Sequence, residues 1–268
     1  MPRARKAGVD TYWTTYGQGA RPALMIHATL AHSGSWGEMA RHLSGMLTMT
    51  AFDLPGHGRS ADWEASGEIQ ATAADIAADF LDGPTDIIGH SFGATVALRL
   101  AVERPGMVRS LALIEPVFFA VACADHPETA GDVLAEEAAL GAALTAGECD
   151  RAARDFTAKW DDGPSWAEMA EDRKARLARQ MPIVQASAAA LYHDAGGILR
   201  PGVLQGVNAP ALLIEGSASP PVIGAICEGL AARLPRAERA MIVGAGHMAP
   251  VSHARQVAAE LLRLYSLV

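Results

Sequence analysis

Five consecutive residues combine a serine with glycines at a spacing that suits nucleophilic catalysis. Gly89–Gly93 reads GHSFG and fits the pattern G-x-S-x-G, with Ser91 at its centre. The apolar run DII precedes this pattern and a helical pattern follows it, so Ser91 is predicted at a sharp strand-to-helix turn. Such a turn needs strained backbone angles and close chain approach, which neighbouring glycines permit. The helix N-terminus would offer partial positive charge and a free N–H to a developing oxyanion.

A serine hydroxyl is a weak nucleophile unless a base lies beside it. The candidate base is His247, in the glycine-containing stretch Gly244–Met248 that follows the last predicted strand. Catalytic groups collect in loops at the carboxyl edge of a parallel sheet. A lone histidine is more often an ordinary loop residue, but a serine turn early in the chain and a histidine last is the order that this chemistry requires. Ser91 and His247 are therefore predicted to be nucleophile and general base.

The elements that must position this pair follow from the hydrophobic pattern. Short apolar runs alternate with helical patterns, which is typical of a mostly parallel sheet with helices on both faces. Val9–Tyr16 alternates and predicts an antiparallel edge hairpin, whereas the near-continuous apolar runs predict buried strands. These runs are Ala23–Ala28, Leu47–Phe52, Asp86–Gly89, Leu111–Ile114, Ala211–Ile214 and Ala240–Val243. Helices are predicted over Ile69–Leu81, Ser91–Glu103, Pro221–Leu234 and Ser252–Leu264.

About a hundred residues separate the predicted strands at Leu111 and Ala211. A gap that long is too large for a structureless loop, and its Ala-, Glu- and Arg-rich pieces have helical patterns. The expectation is an α/β core of residues 1–117 and 201–268, with a helical cap of residues 118–200 inserted after the sixth strand. The cap aromatics would either wall a substrate site or form the cap's own core. They are Phe156, Trp160, Trp166 and Tyr192.

From about Val9 to its C-terminus the chain resembles the α/β-hydrolase superfamily. Besides the serine turn and the terminal Gly-His, Asp53–Ser60 (DLPGHGRS) is similar to a loop common in that family. The resemblance implies an eight-stranded, mostly parallel sheet flanked by helices, and a serine hydrolase activity. It also implies that the loop shapes the site and that His57 within it is structural.

The resemblance also implies an oxyanion hole made by the backbone N–H groups of Phe92 and Thr29. Phe92 follows the nucleophile directly. The family usually carries His-Gly after its third strand, whereas this chain has His27-Ala28-Thr29. Because alanine lacks the freedom of glycine at positive φ, this loop is expected to have a different shape.

The third member of the triad departs further from the family pattern. After the seventh strand the family usually carries Gly-x-x-Asp, but here Ser219 stands in the aspartate position. A serine has no charge to stabilise an imidazolium. Glu115 ends the sixth strand, next to the nucleophile strand, and some α/β-hydrolases take their acid from that point. Glu115 is the preferred acid, while Glu215, or no acid at all, stays open.

Composition narrows the partners. The chain has 268 residues, of which half are hydrophobic, and a formal net charge of −8 with no basic stripe, which argues against nucleic acid. No apolar run is long enough for a bilayer. No apolar segment follows the basic N-terminus, so it is not expected to be a signal peptide, and a cytoplasmic location is expected. The three cysteines fit free thiols. No motif indicates a metal or a nucleotide, so no cofactor is expected and the partner would be a small molecule.

Three functions remain at this level. The first is hydrolysis of an ester, thioester or related acyl bond of a small apolar or neutral substrate through an acyl-enzyme. The second is cofactor-independent ring-cleaving dioxygenation on the same scaffold, in which the histidine–acid pair deprotonates the substrate. The third is a non-catalytic ligand-binding relative, which the missing strand-seven aspartate suggests. Specificity would lie in the cap, where no motif is legible.

Overall fold

The strands form one mixed sheet. The computed structural model describes residues 2–65 and 67–266. Within them the strands are β1 (Arg3–Lys6), β2 (Val9–Tyr16), β3 (Arg21–Ile26), β4 (Leu47–Phe52), β5 (Thr85–His90), β6 (Val108–Ile114), β7 (Ala211–Gly216) and β8 (Ala237–Ile242). Their order is β1-β2-β4-β3-β5-β6-β7-β8. The β1–β2 and β2–β4 pairings are antiparallel, and the other pairings are parallel. The predicted eight-stranded, mostly parallel sheet is therefore confirmed.

Several strands are longer than their apolar runs because polar residues extend them. Asp86 in β5 is fully buried. Its carboxylate accepts hydrogen bonds from Arg21 Nε at 2.5 Å, Arg109 Nη2 at 2.6 Å and Ser110 Oγ at 2.6 Å. These partners stand on β3 and β6, so the buried charge is compensated across three strands. This network explains why β6 begins at Val108 rather than at Leu111.

The helices cover both faces of the sheet. In chain order they are α1 (Gly37–Leu43), α2 (Ile69–Ala78), α3 (Phe92–Glu103), α4 (Phe119–Asp125), α5 (Pro127–Thr145), α6 (Cys149–Trp160), α7 (Glu171–Ala186), α8 (Ala188–His193), α9 (Pro221–Ala231), α10 (Ala249–Ser252) and α11 (Ala254–Tyr265). Helices α2, α3 and α9 share one apolar core with the sheet. Helices α1 and α11 share the core on the opposite face. Within the described residues no helix is both long and apolar enough to cross a membrane.

Helices α4 to α8 fill the stretch between β6 and β7, where no strand was predicted. The small core of α5, α6 and α7 includes Ala153, Leu177 and Met181. By contrast, Phe119 and Val121 of α4 belong to the main core and pack near α9. The start of this stretch is therefore anchored on the sheet-covering layer. Its division from the core at residues 118 and 200 stays a prediction.

Candidate active site

Ser91 lies at the sharp turn between β5 and α3, with φ 55° and ψ −120°. A non-glycine residue holds such angles only when its surroundings enforce them. A Cβ atom at Gly93 would lie 2.1 Å from the carbonyl oxygen of Ile26, and one at Gly89 would lie 2.3 Å from that of Gly93. Both positions must therefore be glycine for β3, β5 and α3 to pack this closely. The turn directs the Ser91 side chain to the carboxyl edge of the sheet.

His247 lies beside this serine, in the loop between β8 and α10. Its Nε2 atom is 2.9 Å from Ser91 Oγ, which is hydrogen-bonding distance. The ring is almost completely buried. The histidine is thus within reach of the serine proton without a rearrangement of the chain.

Glu115 completes a chain of hydrogen bonds behind the histidine. Its Oε2 atom is 3.1 Å from His247 Nδ1. Its Oε1 atom accepts hydrogen bonds from the Gly216 N–H at 2.5 Å and from Ser219 Oγ at 2.9 Å. Glu115 itself has φ 51°, so it also occupies the left-handed region that L-residues rarely adopt. The residue in the family's aspartate position therefore contacts the glutamate rather than the histidine.

Burial dominates the electrostatics of this pair. Burial lowers the pKa of His247 below its ordinary value, so the ring is neutral and Nε2 can accept a proton. Burial raises the pKa of Glu115, while the Gly216 N–H and the Ser219 hydroxyl act in the opposite direction because they stabilise the carboxylate. Since the two side chains share a hydrogen bond, the proton taken up as the pH falls belongs to the pair.

Glu215, the alternative acid, is engaged elsewhere. It stands within β7, and its Oε1 atom accepts hydrogen bonds from Arg239 Nη2 at 2.7 Å and Nε at 3.2 Å. The carboxylate is buried, while the arginine is about one-third exposed, with a side-chain exposure of 36%. This pairing accounts for Glu215 without any role at His247.

Replacement of Glu215 by Gln should therefore affect stability and spare turnover. We expect Glu215→Gln to lower the free energy of unfolding by about 1–2 kcal/mol, because the exposed side of Arg239 is screened by solvent. Urea unfolding measures this loss, and turnover of a small ester should stay close to wild type. A collapse of kcat in this variant, at unchanged folding, would instead assign Glu215 to the histidine.

The two backbone donors predicted for the oxyanion lie at this same edge. Phe92 is the first residue of α3, so its N–H has no partner within the helix. Thr29 and Ser91 both line the cavity described below. In the loop around Thr29 the positive φ falls on Leu30, at 67°, and not on Ala28.

Further histidines brace the site. His90 is buried, and its Nε2 atom lies 2.8 Å from the carbonyl oxygen of His247, so its N–H holds the loop that carries His247. His27 Nε2 accepts the Leu54 N–H at 2.9 Å, and His57 Nδ1 donates to the Pro55 carbonyl at 2.8 Å. Burial lowers the pKa of His57 to about 4, so it is neutral. Nothing in the sequence indicated this hydrogen bond of His90.

A cavity of about 140 Å³ opens onto Ser91 and His247. Most of its wall comes from helices α5 to α8, so these helices cover the Ser91 and His247 side chains. Of the aromatic residues predicted there, Phe156, Trp160 and Tyr192 line the cavity, whereas Trp166 packs against the small helical core. The acidic residues in the wall of the cavity are Glu136, Glu137 and Asp155.

Two other loop residues do not reach this cavity. Trp36 is buried, and its ring packs at 6.4 Å from that of His90. His32 caps the short helical turn after β3 through its Nδ1 atom, which accepts the Gly34 N–H at 3.1 Å. Among the described residues, no group of three or more His, Cys, Asp or Glu side chains could hold a metal ion.

The comparison with known proteins identifies the class to which a protein with this fold belongs. The model of the alpha/beta hydrolase family matches residues 23–260, so the chain belongs to the α/β-hydrolase family. A hydrolase from Pseudomonas aeruginosa PA01 superposes with a TM-score of 0.76 at 19% identity, covering 98% of this chain and 97% of that one. At that identity the likeness shows the fold.

Two sequence relatives match a shorter stretch. Lipase LipV of Mycobacterium tuberculosis is 39% identical over 112 residues, which cover 40% of this chain and 42% of that protein. The pimeloyl-[acyl-carrier protein] methyl ester esterase of Nitrosomonas europaea is 36% identical over 104 residues, covering 39% of this chain and 40% of that one. The chain thus matches about two-fifths of the length of these relatives.

Proposed function

We propose that the protein is a serine hydrolase that cleaves an ester, thioester or related acyl bond through an acyl-enzyme. The observation that carries the proposal is the hydrogen-bonded series from Ser91 Oγ to His247 at 2.9 Å and from His247 to Glu115 at 3.1 Å. It opens onto a largely apolar cavity. Relatives described as a lipase and a methyl ester esterase support the same reaction class.

In the first half-reaction His247 Nε2 takes the proton of Ser91 as Oγ attacks the substrate carbonyl carbon. The carbonyl π electrons move to oxygen, and the N–H groups of Phe92 and Thr29 hold that oxyanion. Glu115 keeps the proton of the ring on Nδ1 and stabilises the imidazolium. The imidazolium then protonates the leaving alcohol or thiol as its bond to the carbonyl carbon breaks.

In the second half-reaction water attacks the acyl-enzyme. His247 removes a proton from that water, the second oxyanion forms in the same place, and its collapse expels Ser91 Oγ, which regains its proton from the imidazolium. The products are a carboxylic acid and a free enzyme. Every proton transfer uses the same histidine nitrogen, so no cofactor or metal ion is needed.

The wall of the cavity supports an apolar or neutral acyl group as substrate. Apolar side chains dominate it, and its charged members, among the described residues, are acidic. Glu136 is paired with Lys159 and Asp155 with Arg154, while Glu137 has no ion-pair partner in the described part of the chain. We therefore propose that residues 118–200 act as a cap that selects a small neutral molecule. A negatively charged substrate tail would be repelled.

The proposal is tested with a panel of neutral 4-nitrophenyl esters of increasing chain length. A burst of nitrophenol followed by steady turnover is the expected result, because acylation and water attack are separate steps. Absence of both burst and turnover over the whole panel would reject hydrolysis. Saturable binding of one of these esters without turnover would then favour the alternative of a non-catalytic ligand-binding protein.

Cofactor-independent dioxygenation stays the second candidate because Glu115 follows β6, the position at which the acid of such enzymes can lie. In that reaction the His247–Glu115 pair would remove a proton from the substrate and Ser91 would assist. Oxygen uptake with hydroxylated N-heteroaromatic compounds, together with silence toward nitrophenyl esters, would support it. Ester turnover without oxygen uptake would reject it.

Substrate charge gives a sharper prediction. We expect a 4-nitrophenyl ester of a straight-chain acid to have a kcat/KM about tenfold or more above that of an analogue of equal length ending in a carboxylate. Glu137→Gln should narrow this ratio at low salt, whereas Asp132→Asn, on the exposed side of the same helix, should not. Equal kcat/KM values for the two esters would contradict an acidic cavity wall.

A further inference from the structure

The end of α6 reaches over the loop that carries His247. The Trp160 ring lies 4.8 Å from the His247 ring, centroid to centroid, at an interplanar angle of 70°. Two residues further on, Asp162 Oδ2 accepts the N–H of Met248 at 3.1 Å. A Cβ atom at Gly246 would lie 2.6 Å from Asp162 Oδ1. The Asp162 carboxylate is therefore in place against both neighbours of His247 in the chain.

Few charges face this histidine. Ser91 and His90 approach it from the strand-to-helix turn, Glu115 from the end of β6, and Asp162 from the helical insertion. Asp162 raises the pKa of His247 and also that of Glu115, because a nearby negative charge favours the protonated form of each group. Whether His247 or Glu115 carries the shared proton, the negative charge of Asp162 increases the affinity of that group for the proton.

We propose that Asp162 is a positioning residue for His247: it fixes the loop after β8 and provides a second carboxylate beside the imidazolium. The inference rests on the proposed function, since it concerns the same histidine. It gives the insertion a part in catalysis beyond enclosing the substrate. A shift of α6 away from the sheet would withdraw both Trp160 and Asp162 from the base, so proton transfer would depend on the insertion lying closed.

The size of the effect follows from exposure. Asp162 is an exposed residue, so solvent and salt screen its charge. Its hydrogen bond from the Met248 amide fixes the loop that carries His247. A displacement of the His247 ring by a fraction of an ångström would slow every proton transfer that it makes. A modest shift in pH dependence and a moderate loss of rate are therefore expected, in contrast to the collapse expected for Glu115.

Two variants separate the effect of the Asp162 charge from that of its hydrogen bond with the Met248 N–H. Asp162→Asn keeps an oxygen that can accept the Met248 N–H but removes the charge, whereas Asp162→Ala removes both. The measurement is the rate at which a fluorophosphonate labels Ser91, as a function of pH, because this reaction needs the activated serine but no particular substrate. We expect Asp162→Asn to move the acidic limb to lower pH by a few tenths of a unit. Asp162→Ala should also lower the plateau rate about three- to tenfold.

Asp150→Asn is the matched control, since Asp150 is an exposed carboxylate at the opposite end of α6. It should keep both the wild-type limb and the wild-type plateau. If both Asp162 variants also match the wild type while Ser91 is labelled normally, the positioning role is wrong and the proposed hydrolase stands.

A substrate-free readout distinguishes the remaining outcome. If the wild-type chain is not labelled at all, the proposed function fails first. NMR titration of the His247 ring, assigned by the signal lost in His247→Gln, then still tests Asp162. A lower titration midpoint in Asp162→Asn than in Asp150→Asn supports the charge effect, and equal midpoints overturn it.

Discussion

Ser91→Ala is expected to lower kcat for a neutral ester by about 10⁴- to 10⁶-fold and to abolish labelling by a fluorophosphonate. Alanine keeps the Cβ atom, and therefore the packing of the turn, but removes the atom that attacks the carbonyl. The residual rate would reflect the oxyanion donors and binding alone. Turnover kinetics and mass spectrometry of the labelled chain measure the two effects.

The control for this variant is its stability. Ser91 is buried at a strained turn, so an unchanged thermal midpoint is needed to attribute the loss to chemistry. His247→Gln should reproduce the loss, and the double variant should be no worse than either single one, because the two residues act as a unit. Labelling of Ser91→Ala at the wild-type rate would show that another nucleophile does the work.

Glu115→Gln is expected to reduce kcat by about 10³- to 10⁴-fold while KM changes little. An amide in this position would turn its NH₂ group toward His247 Nδ1, so the ring would carry its proton on Nε2. That tautomer cannot accept the proton of Ser91. The hydrogen bonds from Gly216 and Ser219 can still be made to the amide oxygen, so the fold should persist, as circular dichroism would show.

The position of Ser219 permits a rescue. Its hydroxyl lies 2.9 Å from Glu115 Oε1, so an aspartate there would bring a carboxylate close to the place that the Glu115 side chain leaves. Glu115→Gly tolerates the positive φ and should be as inactive as Glu115→Gln. Adding Ser219→Asp should recover at least about tenfold of kcat. Full activity of Glu115→Gly alone would contradict the assignment of the triad acid.

The acidic limb of the pH profile follows from the same pair. Catalysis needs the pair without its extra proton, so activity is expected at neutral pH and is lost as the pH falls. Since burial lowers the pKa of His247, the ring should lose its proton at a lower pH than an exposed histidine does. Ser219→Asp in the presence of Glu115 should move the limb to higher pH, because a second carboxylate stabilises the proton on the pair.

The sequence by itself was sufficient to predict the class of fold, which the structure confirms, and to propose Ser91 as the nucleophile. Near-continuous apolar runs reveal buried parallel strands, and two glycines around Ser91 reveal a turn that other residues cannot form. Both signals are local, because each depends only on neighbouring residues. The choice of His247 as the candidate base came from the order of the two residues along the chain, which also needs no knowledge of contacts.

The choice between Glu115 and Glu215 was different, because each glutamate directly follows an apolar run and the two look alike in sequence. Only the packing separates them: Arg239 takes Glu215, while the backbone after β6 turns Glu115, at φ 51°, toward His247. The hydrogen bond of His90 to the His247 carbonyl was hidden for the same reason.

Asp162 was the furthest from the reach of sequence. It stands 85 residues before His247 in an insertion without a recognisable motif, and nothing around it in the chain marks it. Only the tertiary structure brings the end of α6 onto the loop after β8. Local backbone demands are written in adjacent residues, whereas partners across the carboxyl edge depend on strand order and on where the inserted helices lie. For this reason the sequence was sufficient to propose Ser91 and His247 as the reacting pair, and the tertiary structure decided which groups contact them.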